Sequence, residues 1–148
     1  MDDTAADADL VAIHKLIGRQ FESMSWNASR SPDWNAFSED FIQGGQLFAS
    51  ARPVKPQSVT AFVERMKSLA GTALSTFEES LLGSRIIVFG NVAVAVAACE
   101  NVENGSDINR NVEMMLLVKD GGRWRIAAQC WDKAPGDDQS SALAWKEG

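Results

Sequence analysis

The chain has 148 residues, the size of one ordinary domain, and 45% of them are hydrophobic, enough for a single core. Fourteen Lys and Arg against 20 Asp and Glu leave a formal net charge of −6, which argues against a nucleic-acid backbone or an anionic membrane as partner. No run of 18 apolar residues predicts a membrane span. Met1-Asp2-Asp3 lacks the basic region of a signal peptide, and the two cysteines, Cys99 and Cys130, do not make a disulfide framework. A reduced, cytoplasmic setting is therefore expected.

Residues 7–29 read as a helix. Leu10, Ile13, His14, Ile17, Phe21 and Met24 recur at spacings of three and four and form one stripe. Asp2, Asp3 and Asp7 place negative charge at its start, where the helix dipole favours it. Ser31-Pro32 breaks the helix. Asp33 can cap a shorter second helix, with Trp34, Phe37 and Phe41 on one side and Gly44-Gly45 at its end. Residues 46–51 suit a short strand and residues 52–56 a loop. A third helix over 57–70 turns Val59, Phe62, Val63, Met66 and Leu69 inward, and Gly71 stands at its C′ position.

After Gly71 the apolar period switches from helical to strand-like. Residues 77–89 form one long strand, or two broken at Gly83. Gly90-Asn91 makes a tight turn, residues 92–103 the next strand, and Asn104-Gly105-Ser106-Asp107 the next turn. Residues 108–119 and 123–133 complete the series. Residues 1–134 are expected to be one domain, and the polar tail 135–148, which carries Trp145, to be poorly ordered. Helices first and antiparallel strands last make an α+β arrangement, with helices on one face of a curved sheet.

The last hairpin fixes two faces. A three-residue Asp120-Gly121-Gly122 loop would pair Lys119 with Arg123. Met114, Leu116 and Val118 would then share a wholly apolar face with Trp124, Ile126, Ala128 and Cys130. The other face would hold Glu113, Met115, Leu117, Arg125, Ala127, Gln129 and Trp131. Trp124 and Trp131 are thus expected on opposite sides. Both faces are too apolar for open water, so one packs on helices and the other is a pocket wall or a dimer interface.

Three patterns carry a family resemblance: Asp33-Trp34-Asn35-Ala36-Phe37 with Phe41; Phe77-Glu78 with Val88-Phe89-Gly90-Asn91-Val92-Ala93; and Lys119 to Ile126 ending in Trp131. In their order and spacing the chain resembles the nuclear transport factor 2-like superfamily, also called SnoaL-like or cystatin-like α+β cones, over residues 7–133. The resemblance implies N-terminal helices on a strongly curved mixed or antiparallel sheet, a conical internal pocket, and a homodimer through the sheets. It does not imply one function, because members include isomerases, cyclases, dehydratases, epoxide hydrolases and non-catalytic binding domains.

Several of the family's catalytic sets are missing. The chain has no Tyr, and residues 46–51 carry no acid, so the tyrosine and strand aspartate of ketosteroid isomerase relatives are absent. One His and no Tyr also speak against the scytalone dehydratase set. Arg85, Asp40 and Glu79 offer the residue types of the limonene epoxide hydrolase set at positions that do not match.

His14 sits on the apolar stripe and could shuttle a proton, or it could be a solvated edge residue. Glu78 and Glu79 are adjacent on a strand and point to opposite faces, so one can enter the pocket, where an apolar setting raises a carboxyl pKa. Glu100 and Glu113 are read in the same way. One His, two separated Cys and no acidic cluster at ligand spacing predict no metal site, no glycine-rich loop predicts a phosphate cofactor, and both cysteines read as buried structural thiols.

The main expectation is therefore a pocket for a small apolar ligand with no cofactor, lined by Ile17, Phe21, Trp34, Phe37, Phe62, Met66, Glu113, Met115, Gln129 and Trp131. The alternative is an acid/base enzyme of isomerase, cyclase or dehydratase type. It would use His14 and Glu79 on a small hydrophobic or carbonyl substrate.

Overall fold

The computed structural model describes residues 3–133. Met1-Asp2 and the expected tail with Trp145 lie outside the described residues. Helices α1 (Asp3–Ser23), α2 (Trp34–Glu39) and α3 (Val59–Ala70) cover one face of a six-stranded sheet. Its strands are β1 (Phe41–Phe48), β2 (Pro56–Ser58), β3 (Phe77–Phe89), β4 (Val92–Glu103), β5 (Asp107–Asp120) and β6 (Arg123–Lys133). They run in the order β2-β1-β6-β5-β4-β3, antiparallel except where β1 runs parallel to β6. The architecture is the α+β one expected, with a mixed sheet. Among the described residues no helix is long and apolar enough to cross a membrane.

Local chemistry explains the helix ends. Asp33 caps α2, its side chain accepting from the Ala36 amide at 3.0 Å, and Ser58 caps α3 through the Ala61 amide at 3.0 Å. Helix α1 stops at Ser23, six residues before the expected end. Trp26 there pairs its backbone with Phe77 and stacks its ring on the Phe77 ring at 5.4 Å. Tertiary pairing wins over a stripe that continues in the sequence. Phe41 and Gly44-Gly45, expected to finish the second helix, belong to β1 instead. A Cβ at Gly45 would meet the Ile42 and Ile126 carbonyl oxygens at 3.1 and 3.2 Å, so any larger residue would push the two strands slightly apart. Gly71 ends α3 at φ −84°, without a left-handed turn.

Three irregularities bend the sheet. Leu82 is an extra residue between the Leu81–Cys99 and Gly83–Ala98 pairs, and β1 slips against β6 between Phe41 and Gln46. The third, at Ala127, corrects the expected faces. The closing turn holds two residues, Gly121 and Gly122, both at positive φ, so Asp120 pairs Arg123 and Lys119 pairs Trp124. Ala127 is then the extra residue between Leu117–Ile126 and Leu116–Ala128. The side-chain alternation inverts there. Trp124 and Ile126 point inward before the bulge, and Gln129 and Trp131 point inward after it. The two tryptophans therefore share the helix-facing side rather than opposite sides. Cys130 is turned outward and exposed, contrary to its reading as a buried thiol, while Cys99 is fully buried.

The core joins Ile13, Leu16, Ile17 and Phe21 of α1 to Phe37, Phe62 and the inward residues of β4, β5 and β6. The Phe37 ring lies 5.3–5.6 Å from the rings of Trp34, Phe41 and Phe62. Asp40, fully buried, is held by Arg19 and by Arg123. Asp9 ties the helix to the hairpin, accepting from Trp124 Nε1 at 2.9 Å and from Lys119 Nζ at 3.0 Å.

Because Ala127 sets the facing of all that follows it, deleting it should cost at least about 3 kcal/mol, while Ala127→Gly should cost about 1 kcal/mol or less. Urea unfolding of the two variants makes the comparison. Equal stabilities would show that the bulge does not set the face.

Candidate functional site

Between α3, α1 and the inner sheet face lies a cavity of about 340 Å³. Its walls are apolar: Phe21 and Met24 of α1, Phe37 of α2, Phe62 and Met66 of α3, and Phe77 and Trp131 from the sheet. Arg65 and Lys133 line it as exposed residues, which places them at its mouth. Inward parity on the three long strands carries polar residues to its floor: Glu79 on β3, Asn101 on β4, and Asn109, Asn111 and Glu113 on β5, with Cys99 fully buried beside them. Glu79 faces Asn101 across β3–β4, and Glu113 faces Trp131 across β5–β6.

The floor is a connected polar cluster. The Cys99 thiol donates to Glu79 Oε1 at 3.2 Å and lies 4.0 Å from Glu113 Oε2. Gln129 Nε2 donates to Glu113 Oε1 at 2.7 Å. Behind it Gln20 of α1, fully buried, exchanges hydrogen bonds with Gln129 at 2.6 and 3.0 Å. This amide pair fixes the orientation of Glu113 from the helix side. One ligand atom each of Glu79, Cys99 and Glu113 lies within 4.8 Å of the others, so these three form the described group able to hold a metal ion. Sequence spacing had given no hint of it, since the three come from different strands.

Burial sets the protonation of the cluster. It pushes the Glu79 carboxyl up to about 7, against the opposing hydrogen bond from Cys99. It pushes Glu113 well above the usual carboxylate range, aided by the Glu79 charge and opposed by the Gln129 amide. Burial and the two carboxylates push the Cys99 thiol far up, so it stays a neutral donor.

The expected site residues divide clearly. Phe21, Phe37, Phe62, Met66, Glu79, Glu113, Gln129 and Trp131 line the cavity. Ile17 and Met115 are buried in the core behind it, and Trp34 packs on Trp26 and Phe37; none of the three lines it. His14 is an exposed residue whose Nε2 lies 3.1 Å from Ser84 Oγ, and it too lies outside the lining. The buried face of α1 is centred on Ile13, Leu16, Ile17 and Gln20, and His14 falls on its edge. The structure therefore does not bring His14 and Glu79 into one site.

Asp40 is tied up with Arg19, and Arg85 is exposed, so no Asp-Arg-Asp set assembles with Glu79. Glu78 points outward to Asn27, and Glu100 pairs with Arg110. Sequence reasoning missed Asn101, Asn109, Asn111 and Gln20. The signal was there in part: Cys99, Asn101 and Glu103, and Asn109, Asn111 and Glu113, fall at every second position and so share a face of their strands.

An unfolded glutamate titrates near 4.5, below both folded carboxyls. The folded protein therefore holds protons that the unfolded chain releases, and the contribution of this pair to stability falls as pH rises from about 4.5 through 7. Asp9, lowered by Trp124 and Lys119, acts in the opposite direction, so a variant is needed to isolate the pair. Glu113→Gln should raise the melting temperature by several degrees at pH 8 and change it little at pH 5. Thermal melts at the two pH values decide it. A variant less stable than the parent at pH 8 would contradict the assignment.

No family model and no curated protein matches the sequence. Solved structures do match. A nuclear transport factor 2-like protein of unknown function from Silicibacter pomeroyi is 18% identical, with a TM-score of 0.64 over 87% of this chain and 98% of that one. A scytalone dehydratase-like protein from Novosphingobium aromaticivorans gives 13% identity and a TM-score of 0.73 over 91% and 89%. The hexachlorocyclohexane dehydrochlorinase LinA-type3 from Novosphingobium barchaimii gives 10% and 0.73 over 90% and 92%. At these identities the likeness concerns the backbone, and it is nearly end to end. The chain has the nuclear transport factor 2-like fold of these bacterial proteins.

Proposed function

We propose that the protein binds a small, mainly apolar molecule in the cavity, with the molecule's polar end on the Glu79–Glu113 floor. One observation carries this reading: aromatic and aliphatic walls line about 340 Å³ that ends on the buried Glu113 and half-buried Glu79 carboxyls. That volume falls in the usual range for ligand pockets, ~300–1,000 Å³. A free, fully buried Cys99 on the floor suits a reduced, cytoplasmic setting.

A second reading is acid/base catalysis. It is favoured by Glu79, whose carboxyl titrates at about 7 and so can both take and give a proton near neutral pH. Here Glu113, rather than His14, is its partner. Neighbours of the same fold include a dehydrochlorinase and a dehydratase-like protein, which makes such chemistry compatible with the scaffold.

We also propose that a second copy of the chain covers the outer sheet face. Phe89, Val92, Val94, Met114 and Leu116 are all exposed there, across three adjacent strands. An apolar face of this kind is self-complementary about a two-fold axis, and leaving it in water is unfavourable.

Two measurements check these readings. A neutral solvatochromic naphthalene dye should bind the wild type at micromolar concentration, and Met66→Trp, which fills the cavity, should weaken it by about tenfold. No dye binding, or binding indifferent to Met66→Trp, would remove the pocket reading. Sedimentation should give a dimer at micromolar concentration and a monomer for the Met114→Glu, Leu116→Glu double variant. A monomeric wild type would end the dimer proposal.

A further inference from the structure

The closed end of the cavity gathers the acceptor oxygens of Glu79, Glu113 and Asn101. The Cys99 thiol donates to Glu79 and the Gln129 amide to Glu113. Asn101, beside Cys99 on β4 and opposite Glu79, is only 7% exposed, lines the cavity, and its Oδ1 accepts no hydrogen bond. A buried carbonyl oxygen left without a donor costs about 1–3 kcal/mol, and such groups are rare enough in folded proteins to need a reason. Glu113, buried, and Glu79, half-buried, have no cation paired with them among the described residues, so burial favours their neutral forms and a bound cation would favour the charged ones. The cations that line the cavity, Arg65 and Lys133, are exposed at its mouth, and neither forms an ion pair with Glu79 or Glu113. Around this floor stand the rings of Phe21, Phe37, Phe62, Phe77 and Trp131.

We propose that the ligand carries a protonated amine at its buried end, seated on Glu79, Glu113 and Asn101, with an aromatic or aliphatic body against these rings. The inference rests on the binding reading above and narrows its ligand class. A primary ammonium has three donors and no acceptor, so it can serve all three groups at once. It brings the missing positive charge, and aromatic faces favour a cation beside them. A neutral hydroxyl supplies one donor and no charge. A carboxylate brings no donor for the Asn101 carbonyl oxygen. A divalent metal ion would have to displace the Cys99 proton, which burial and both carboxylates hold in place, and it would leave the aromatic walls without a function.

Titration calorimetry at pH 7 with phenethylamine, its neutral isostere phenethyl alcohol, phenylpropionate and Zn²⁺ alone tests this. The amine should bind the wild type at least about tenfold more tightly than the alcohol, and phenylpropionate should bind more weakly than either. Glu79→Gln and Asn101→Leu should each weaken the amine by about tenfold and leave the alcohol within about threefold. Alcohol binding equal to the amine overturns the ammonium assignment and leaves the pocket standing. Failure of amine and alcohol overturns the assignment too, and the naphthalene dye then shows whether the pocket falls with it. Zn²⁺ binding that excludes the amine and is lost in Cys99→Ser overturns it in favour of a metal site. Should a variant fail to fold, the contrast of amine with alcohol in the wild type decides alone.

Discussion

One extra residue in β6 governs how this molecule is arranged. Side chains on a strand alternate strictly, so a strand that must face inward at both ends needs an odd shift between them. Ala127 supplies it. Before the shift, Trp124 and Ile126 seal the sheet against α1, where Asp9 receives the Trp124 ring nitrogen. After it, Gln129 and Trp131 enter the cavity. The insertion at Leu82 acts in the same way on β3, keeping both Glu79 and Ser84 on the helix side. Bulges also bend strands. The insertions therefore curve the sheet toward the helices and choose the residues that face the enclosed space.

Curvature leaves room that the helices do not fill, and the floor of that room is polar. A buried carboxyl is tolerated only if its surroundings satisfy it. Here the support comes from two directions. The Gln20–Gln129 amide pair holds Glu113 from the helix side, and Cys99 bridges toward Glu79 from the sheet. Removing Gln129 would leave both Glu113 and Gln20 short of a partner, so this cluster couples the position of α1 to the geometry of the floor. The support is incomplete at Asn101, whose Oδ1 accepts no hydrogen bond.

The fold alone carries no activity, since proteins sharing it perform different tasks. What individualises this chain is the combination of a carboxyl pair with raised affinity for protons, a neutral thiol between them, and aromatic walls. His14, the residue type most often recruited for proton transfer, is spent instead on a surface contact with Ser84. The cavity groups able to exchange a proton near neutral pH are therefore carboxyls raised by burial, not an imidazole.

The sequence by itself determined the class of fold. Helical and strand periods, the Asp33 cap and the glycine turns are local properties, and β4 and β6 run over the same residues that the pattern marks out. It also put Phe21, Phe37, Phe62 and Met66 on the inward stripes of their helices, because that period is local too. Only the tertiary structure decided the rest. A two-residue turn moved Trp124 and Ile126 to the helix side, against the expected pairing, and the bulge at Ala127 then returned Gln129 and Trp131 to the face expected for them. Backbone pairing with Phe77 accompanies the early end of α1, and the rotation of that helix moved His14 out of the site and Gln20 into it. The meeting of Glu79, Cys99 and Glu113 depends on the register of three strands at once, a long-range property that no local spacing encodes.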